Sequence, residues 1–170
     1  MTVQTNSGEL NRLVGGAHYD PHSLLGAHVT DDGRTVIRTL RPDATGVDVM
    51  IGTSRTPLRL VHDGGIFEGI VDGPISDYRL DVAYGESRFL VDDPYRWLPT
   101  LGAIDLHLIG EGRHEQLWEV LGAHVRSYDT PSGKVSGTSF AVWAPNAVGI
   151  RVVGDFDYWS GQAFPMRSMG

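Results

Sequence analysis

Apolar and polar residues alternate with a period of two in short runs along most of this chain, and glycine or proline closes nearly every run. No other feature constrains the fold as strongly. Side chains leave opposite faces of a strand in turn, so an alternating run can bury one face and wet the other. Val47, Val49 and Ile51 point one way, Asp48 and Met50 the other. Tyr78, Leu80 and Val82 alternate with Arg79 and Asp81, Phe140 and Val142 with Ala141 and Trp143, and Ile150 and Val152 with Arg151 and Val153. Short half-buried strands between tight turns predict an all-β chain built as antiparallel, immunoglobulin-like β-sandwich. At 170 residues the chain can bury a real core. It falls short of the ~200 residues that a (β/α)₈ barrel needs.

Three short helices are predicted among the strands. Ser7 can cap one whose Leu10, Leu13 and Val14 share a face, ending at Gly15-Gly16. Asp20 and Pro21 form an N-cap and first-turn proline for a single turn closing at Gly26. A third runs from about Arg113 to Leu121, with Leu117, Val120 and Leu121 on one stripe and Gly122 just past its end.

The chain also matches itself. Gly26-Ala27-His28 recurs as Gly122-Ala123-His124, and residues 42–49 (PDATGVDV) recur as 145–152 (PNAVGIRV), in the same order. The shared unit is a strand, a Pro-(Asp/Asn)-Ala turn and a second alternating strand, so two copies of one module are expected. In the first copy 40 residues (53–92) separate Gly52 from Asp93-Pro94-Tyr95, whereas only 16 residues (155–170) follow Gly154. The second sandwich is therefore expected to be incomplete here, lacking counterparts of residues 66–71 and 78–82. The expected division is residues 1–105 for an amino-terminal sandwich with its leading helix, 106–125 for a helical linker, and 126–170 for the start of a second sandwich.

Composition excludes several kinds of chemistry. The formal net charge is −7, with Lys134 the only lysine and the arginines scattered. Nucleic acids and anionic membranes call instead for clustered cations. With no cysteine there is no thiolate nucleophile, zinc knuckle or disulfide frame. The first residues lack the pattern of a signal peptide, and no apolar run approaches ~18 residues, so a cytoplasmic chain is expected. His18, His22 and His28 lie close in sequence, but Pro21 breaks any helix that would align two of them, and no acid or thiol completes a ligand set. They read as turn and capping residues, and no metal or cofactor is expected. The pairs Asp31-Asp32, Asp92-Asp93 and Asp155/Asp157 read as turn formers, not as two carboxyls facing across a cleft. No serine elbow, phosphate loop or dinucleotide fingerprint is present, so no catalytic residue is assigned.

The tryptophans remain. Trp143 reads as core, Trp97 as the cover of a module boundary, and Trp118 as packing between modules. Trp159 differs because it sits in a polar loop, GDFDYWSG (154–161), directly after a strand. A flat indole there can cover the C–H face of a sugar ring while neighbouring polar groups bond hydroxyls. It can equally plug the end of a sandwich.

Residues 20–28 (DPHSLLGAH), 99–124 (PTLGAIDLHLIGEGRHEQLWEVLGAH), 135–159 (VSGTSFAVWAPNAVGIRVVGDFDYW) and 165–167 (PMR) resemble the amino-terminal region of bacterial glycogen branching enzymes. The resemblance implies an amino-terminal sandwich to about Pro99 and, from about residue 126, a glycogen-binding-type sandwich preceding an α-amylase-type barrel. That barrel, on the same polypeptide, would cut α-1,4 glucan and transfer the piece to a 6-hydroxyl with two aspartates and a glutamate, none of which lies in this chain. The resemblance makes Trp159 the sugar-stacking residue, with Phe156 as its support. Asp157 stands where related modules commonly have asparagine, keeping an acceptor and losing an amide donor. The implied partner is α-1,4 glucan or glycogen. The first copy, with Gly52-Thr53-Ser54-Arg55 at the matching place, is expected to be a spacer or a modulator of chain-length choice. Read without the barrel, the chain would be a non-catalytic glucan-binding adaptor.

Overall fold

The computed structural model describes residues 6–170. Helix α1 (Ser7–Val14) is followed by a single 3₁₀ turn, Pro21–Ser23. Seven strands come next: β1 (Gly26–Val29), β2 (Thr35–Leu40), β3 (Gly46–Ile51), β4 (Ser54–His62), β5 (Ile66–Val71), β6 (Arg79–Tyr84) and β7 (Ser87–Val91). A second 3₁₀ turn (Pro94–Arg96) precedes α2 (Ala103–Gly110), α3 (Leu117–Val120) and the hairpin of β8 (Gly122–Thr130) and β9 (Gly133–Ala141). Two short strands, β10 (Arg151–Val152) and β11 (Phe164–Pro165), flank a third 3₁₀ turn, Asp155–Asp157. The predicted all-β architecture is what forms.

The chain divides into two compact units, residues 6–96 with Val148–Ser168, and Trp97–Ala147 with residues 169–170. In the first unit all pairings are antiparallel and the strand order is β1-β2-β5-β4-β3-β6-β7. β4 changes partners midway, pairing with β3 up to Leu58 and with β5 from Arg59. The sheet therefore folds over on itself, and its two halves enclose Ile37, Val47, Val49, Leu58, Phe67, Val71, Tyr78, Leu80 and Val82. Val47, Val49, Tyr78, Leu80 and Val82 are the ones that the period-two pattern assigned to one face, and Ile51, assigned with them, is partly buried against the cluster.

Alternation fails where a third layer covers the sheet. Every residue of β2 is buried, because Leu10 and Leu13 of α1, with Leu24, Leu25 and Tyr95, pack with Leu40 and Ile66 in a second apolar cluster. Arg38, on the covered strand, is buried and satisfied by Glu68, its direct neighbour on β5. On the other half of the sheet Asp48 and Asp81 oppose each other across β3 and β6. Like charges so placed repel. Arg55 and Arg88 each bridge both carboxylates and relieve it.

Local departures from expectation have local causes. Asn6, not Ser7, caps α1, its side chain accepting the Gly8 N–H at 2.9 Å. An asparagine oxygen reaches a free first-turn donor as well as a serine does. Asp20 does cap the turn at Pro21, accepting the His22 N–H at 3.2 Å. The third helix is shorter than expected, only Leu117–Val120. Trp143, read as core, is 58% exposed and packs in none. Strand β9 ends at Ala141, before Val142 and Trp143 can be carried into a sheet.

The repeat appears as geometry. β1 and β8 each begin at the repeated glycine, with positive φ (92° at Gly26, 103° at Gly122). Each repeated histidine then bonds the carbonyl three residues back, His28 to Leu25 at 3.0 Å and His124 to Leu121 at 2.9 Å. Both proline turns close alike, Ala44 N–H to the Arg41 carbonyl and Ala147 N–H to the Ala144 carbonyl. In the second unit the β8–β9 hairpin runs in unbroken register from Gly122↔Ala141 to Thr130↔Gly133. Trp97 stacks on Tyr128 there, ring centroids 4.7 Å apart and planes 14° apart.

Candidate functional site

The loop 154–161 lies in the first unit, between β10 and β11. A 3₁₀ turn opens it, and Tyr158 and Trp159 follow with φ of 53° and 58°. Two adjacent non-glycine residues in the left-handed region are strained, by about 1–3 kcal/mol each. Surrounding bonds hold them there. Asp157 is the centre: one carboxylate oxygen accepts the Gly154 N–H at 2.8 Å and the Trp159 N–H at 3.1 Å. The other accepts the Gly161 N–H at 3.2 Å and the Ser160 hydroxyl at 3.4 Å. The Gly154 N–H above all, then the other donors, holds the Asp157 carboxyl below the usual carboxylate range.

What this frame displays is aromatic. Trp159 is 66% exposed, yet its indole N–H is tied to Asp155 Oδ1 at 2.8 Å. The polar edge is thus spent inside the loop, and that bond sets the ring's orientation. Tyr158 beside it is almost fully exposed. Phe156 meets Phe164 of β11 edge-on, centroids 5.5 Å apart, and packs so tightly over Gly154 that a Cβ there would lie 2.5 Å from its ring. Of the three residues singled out from sequence, Trp159 presents a surface, Phe156 braces the loop, and Asp157 directs its carboxylate to loop donors.

The neighbouring histidines each serve local structure. His18 Nδ1 accepts the Asp20 N–H at 3.1 Å, His28 bonds Leu25, and His22 lies edge-on against Tyr95 with ring centroids 5.0 Å apart. Among the described residues no group of three or more His, Cys, Asp or Glu could hold a metal ion. No described helix is long and apolar enough to cross a membrane.

Sequence reasoning missed α2 and the residues that seat the loop. Helix α2 (AIDLHLIG) buries no side chain and carries no apolar stripe, so periodicity could not reveal it. Asp105, three residues after Gly102 and bonded back to its N–H at 3.0 Å, was the available signal. Tyr95 donates its hydroxyl to the Pro165 carbonyl at 3.0 Å, and Arg167 bonds Asp20 at 2.9 Å. Both pairs are remote in sequence, and no local pattern announces them.

A folded-over antiparallel sheet, in one unit with a loop that exposes Phe156, Tyr158 and Trp159, defines a β-sandwich module displaying an aromatic surface. The chain belongs to the family of the amino-terminal domain of the alpha-1,4-glucan branching enzyme GlgB, whose profile matches residues 6–95. A second profile, carbohydrate-binding module 48 (isoamylase N-terminal domain), matches residues 120–170 and so includes the Trp159 loop. The chain is 60% identical over 164 residues to a 1,4-alpha-glucan branching enzyme GlgB of Frankia casuarinae, covering 95% of this chain and 20% of that protein. It is 53% identical to that of Rhodococcus jostii, covering 100% of this chain and 23% of that protein. The corresponding protein of Thermobifida fusca is 52% identical, with 95% of this chain and 22% of that protein covered. The chain thus spans about a fifth of the length of the curated relatives it matches.

Proposed function

We propose that this chain is the amino-terminal, non-catalytic part of a 1,4-α-glucan branching enzyme, which cuts α-1,4 glucan and rejoins the piece as an α-1,6 branch. Sixty per cent identity over 95% of the chain to a branching enzyme carries this reading. Within it, the Trp159 loop is a docking platform for α-1,4 glucan or glycogen. A glucose ring offers an apolar C–H face, and an exposed indole with its N–H already bonded offers a flat partner with no polar group left to desolvate. Phe156 and Asp157 act through the loop, one bracing it and the other closing it. The domain division 1–105, 106–125 and 126–170 belongs to the same proposal, as does a cytoplasmic location for a cysteine-free chain with a neutral polysaccharide partner.

Affinity electrophoresis in gels containing glycogen tests the platform. Migration of the 170-residue chain should be retarded, and Trp159→Ala should abolish the retardation. Equal migration with and without glycogen would defeat the reading of the loop. For the enzyme as a whole, the full-length polypeptide should lower the absorbance of the amylose–iodine complex and create α-1,6 linkages visible by proton NMR. Failure to create them would defeat the branching assignment.

A further inference from the structure

We infer that α1 positions the Trp159 loop and that Arg151 is the positioning residue that joins them; the inference rests on the reading of that loop as a glucan platform. Arg151 stands in β10, three residues before the loop. Its Nη1 donates to the Gly161 carbonyl, the far end of the loop, and its Nη2 to the Val14 carbonyl, each at 2.5 Å. Val14 is the last residue of α1. The last-turn carbonyls of a helix lack partners within it and carry the negative end of its dipole, so a cation is favoured there. One planar guanidinium therefore bonds a helix end with one nitrogen and the loop end with another, a geometry that a lysine ammonium cannot reproduce.

The backbone is shaped for this contact. A Cβ on Gly16, whose φ is +74°, would lie 2.6 Å from the Arg151 Nη2. A Cβ on Gly149 would lie 1.9 Å from the Gly16 carbonyl oxygen. Glycine at both positions lets the chain entering β10 run against the chain leaving α1. The bonds within the loop fix its internal form, whereas Arg151 fixes how that form is held against the first sandwich. The residues of α1 that are buried, Leu10 and Leu13, face the sheet. Its part in glucan binding is consequently to set the direction of the indole face. A multi-glucose α-1,4 chain requires such alignment more than a single sugar does, since successive rings must meet one surface together.

The test uses the 170-residue chain labelled with 5-fluorotryptophan, with Trp159→Phe assigning the Trp159 resonance. Arg151→Met removes both bonds at similar volume. Gly16→Ala is a second variant that displaces the guanidinium from the other side, in case the first folds poorly. Both should broaden or shift the Trp159 fluorine resonance, leave the other three tryptophan resonances in place, and weaken glycogen retention about tenfold. Arg151→Lys should restore part of the retention. If Trp159→Ala abolishes retention but both variants bind like wild type with an unmoved resonance, positioning by Arg151 is overturned and the platform stands. If Trp159→Ala has no effect on retention, the platform reading fails. The fluorine spectrum then decides the coupling alone: a displaced Trp159 resonance supports it and an unmoved one overturns it.

Discussion

Leu13 offers the sharpest test of how the third layer is built. It is wholly buried, on α1, in the cluster with Leu10, Leu24, Leu25, Leu40, Ile66 and Tyr95. Leu13→Ala removes three carbons, about 2.4 kcal/mol of transfer free energy at ~0.8 kcal/mol per methylene. A cavity term comes on top, giving the about 2.7–5.0 kcal/mol seen for fully buried leucines. Because an eight-residue helix is not stable alone, the loss falls directly on the docking of α1. We expect about 3 kcal/mol, a large part of a domain stability of about 5–15 kcal/mol. In urea, with a slope of about 2 kcal/mol per molar, the midpoint followed by circular dichroism should fall by about 1.5 M. Amide exchange within residues 154–161 should rise in the same variant, since Val14 carries the carbonyl that Arg151 holds. Leu60→Ala, at a half-exposed position, should cost under about 1 kcal/mol. A Leu13→Ala loss below about 1 kcal/mol with an unchanged slope would refute the packing of α1 on the sheet.

Tyr95→Phe should cost about 1–3 kcal/mol, because it strands the buried Pro165 carbonyl, and hydrogen exchange should show the loosening first at β11. Burial above all, then the Arg167 guanidinium, holds His22 below the ordinary histidine value of 6.5, with Asp20 opposing and His28 assisting. The unfolded chain therefore binds a proton near pH 6.5 that the folded chain refuses, so stability should fall as pH drops through that value, and His22→Phe should flatten the urea midpoint between pH 7 and pH 5. Asp157 has the opposite consequence: with its pKa lowered, its support of the loop is complete above the ordinary carboxylate value and lost as pH falls through the lowered one. Retention on glycogen should therefore be level from pH 7 to pH 5 in wild type, and weaker throughout in Asp157→Asn, whose amide opposes a donor to the Gly161 N–H.

Much of the sandwich was legible because its determinants are local. Val47, Val49, Leu80 and Val82 declare a buried face by spacing alone, and the turn at Asp20-Pro21 by its capping chemistry. The repeat was legible too, since the same glycine and histidine build the same strand start twice. Trp159 stood out by its polar neighbours. Reading failed where a local signal was ambiguous or missing. Asn6 and Ser7 are both capable caps, so only the observed bond separates them. Helix α2 lacks an apolar stripe because it buries nothing. Trp143 looked like core because the alternation through Phe140 and Val142 continues past the residue where pairing stops.

By itself the sequence determined the strand class, the turns and the residue types at the loop, because period, capping and left-handed turns act over a few residues. Only the tertiary structure decided that β2 would be covered on both faces and that Arg151 would bond both the end of α1 and the end of the Trp159 loop. The Arg151–Val14 bond spans 137 positions and the Arg167–Asp20 bond 147. Such contacts exist only once the sheet has folded over, α1 has docked and a free helix-end carbonyl lies within reach of a guanidinium.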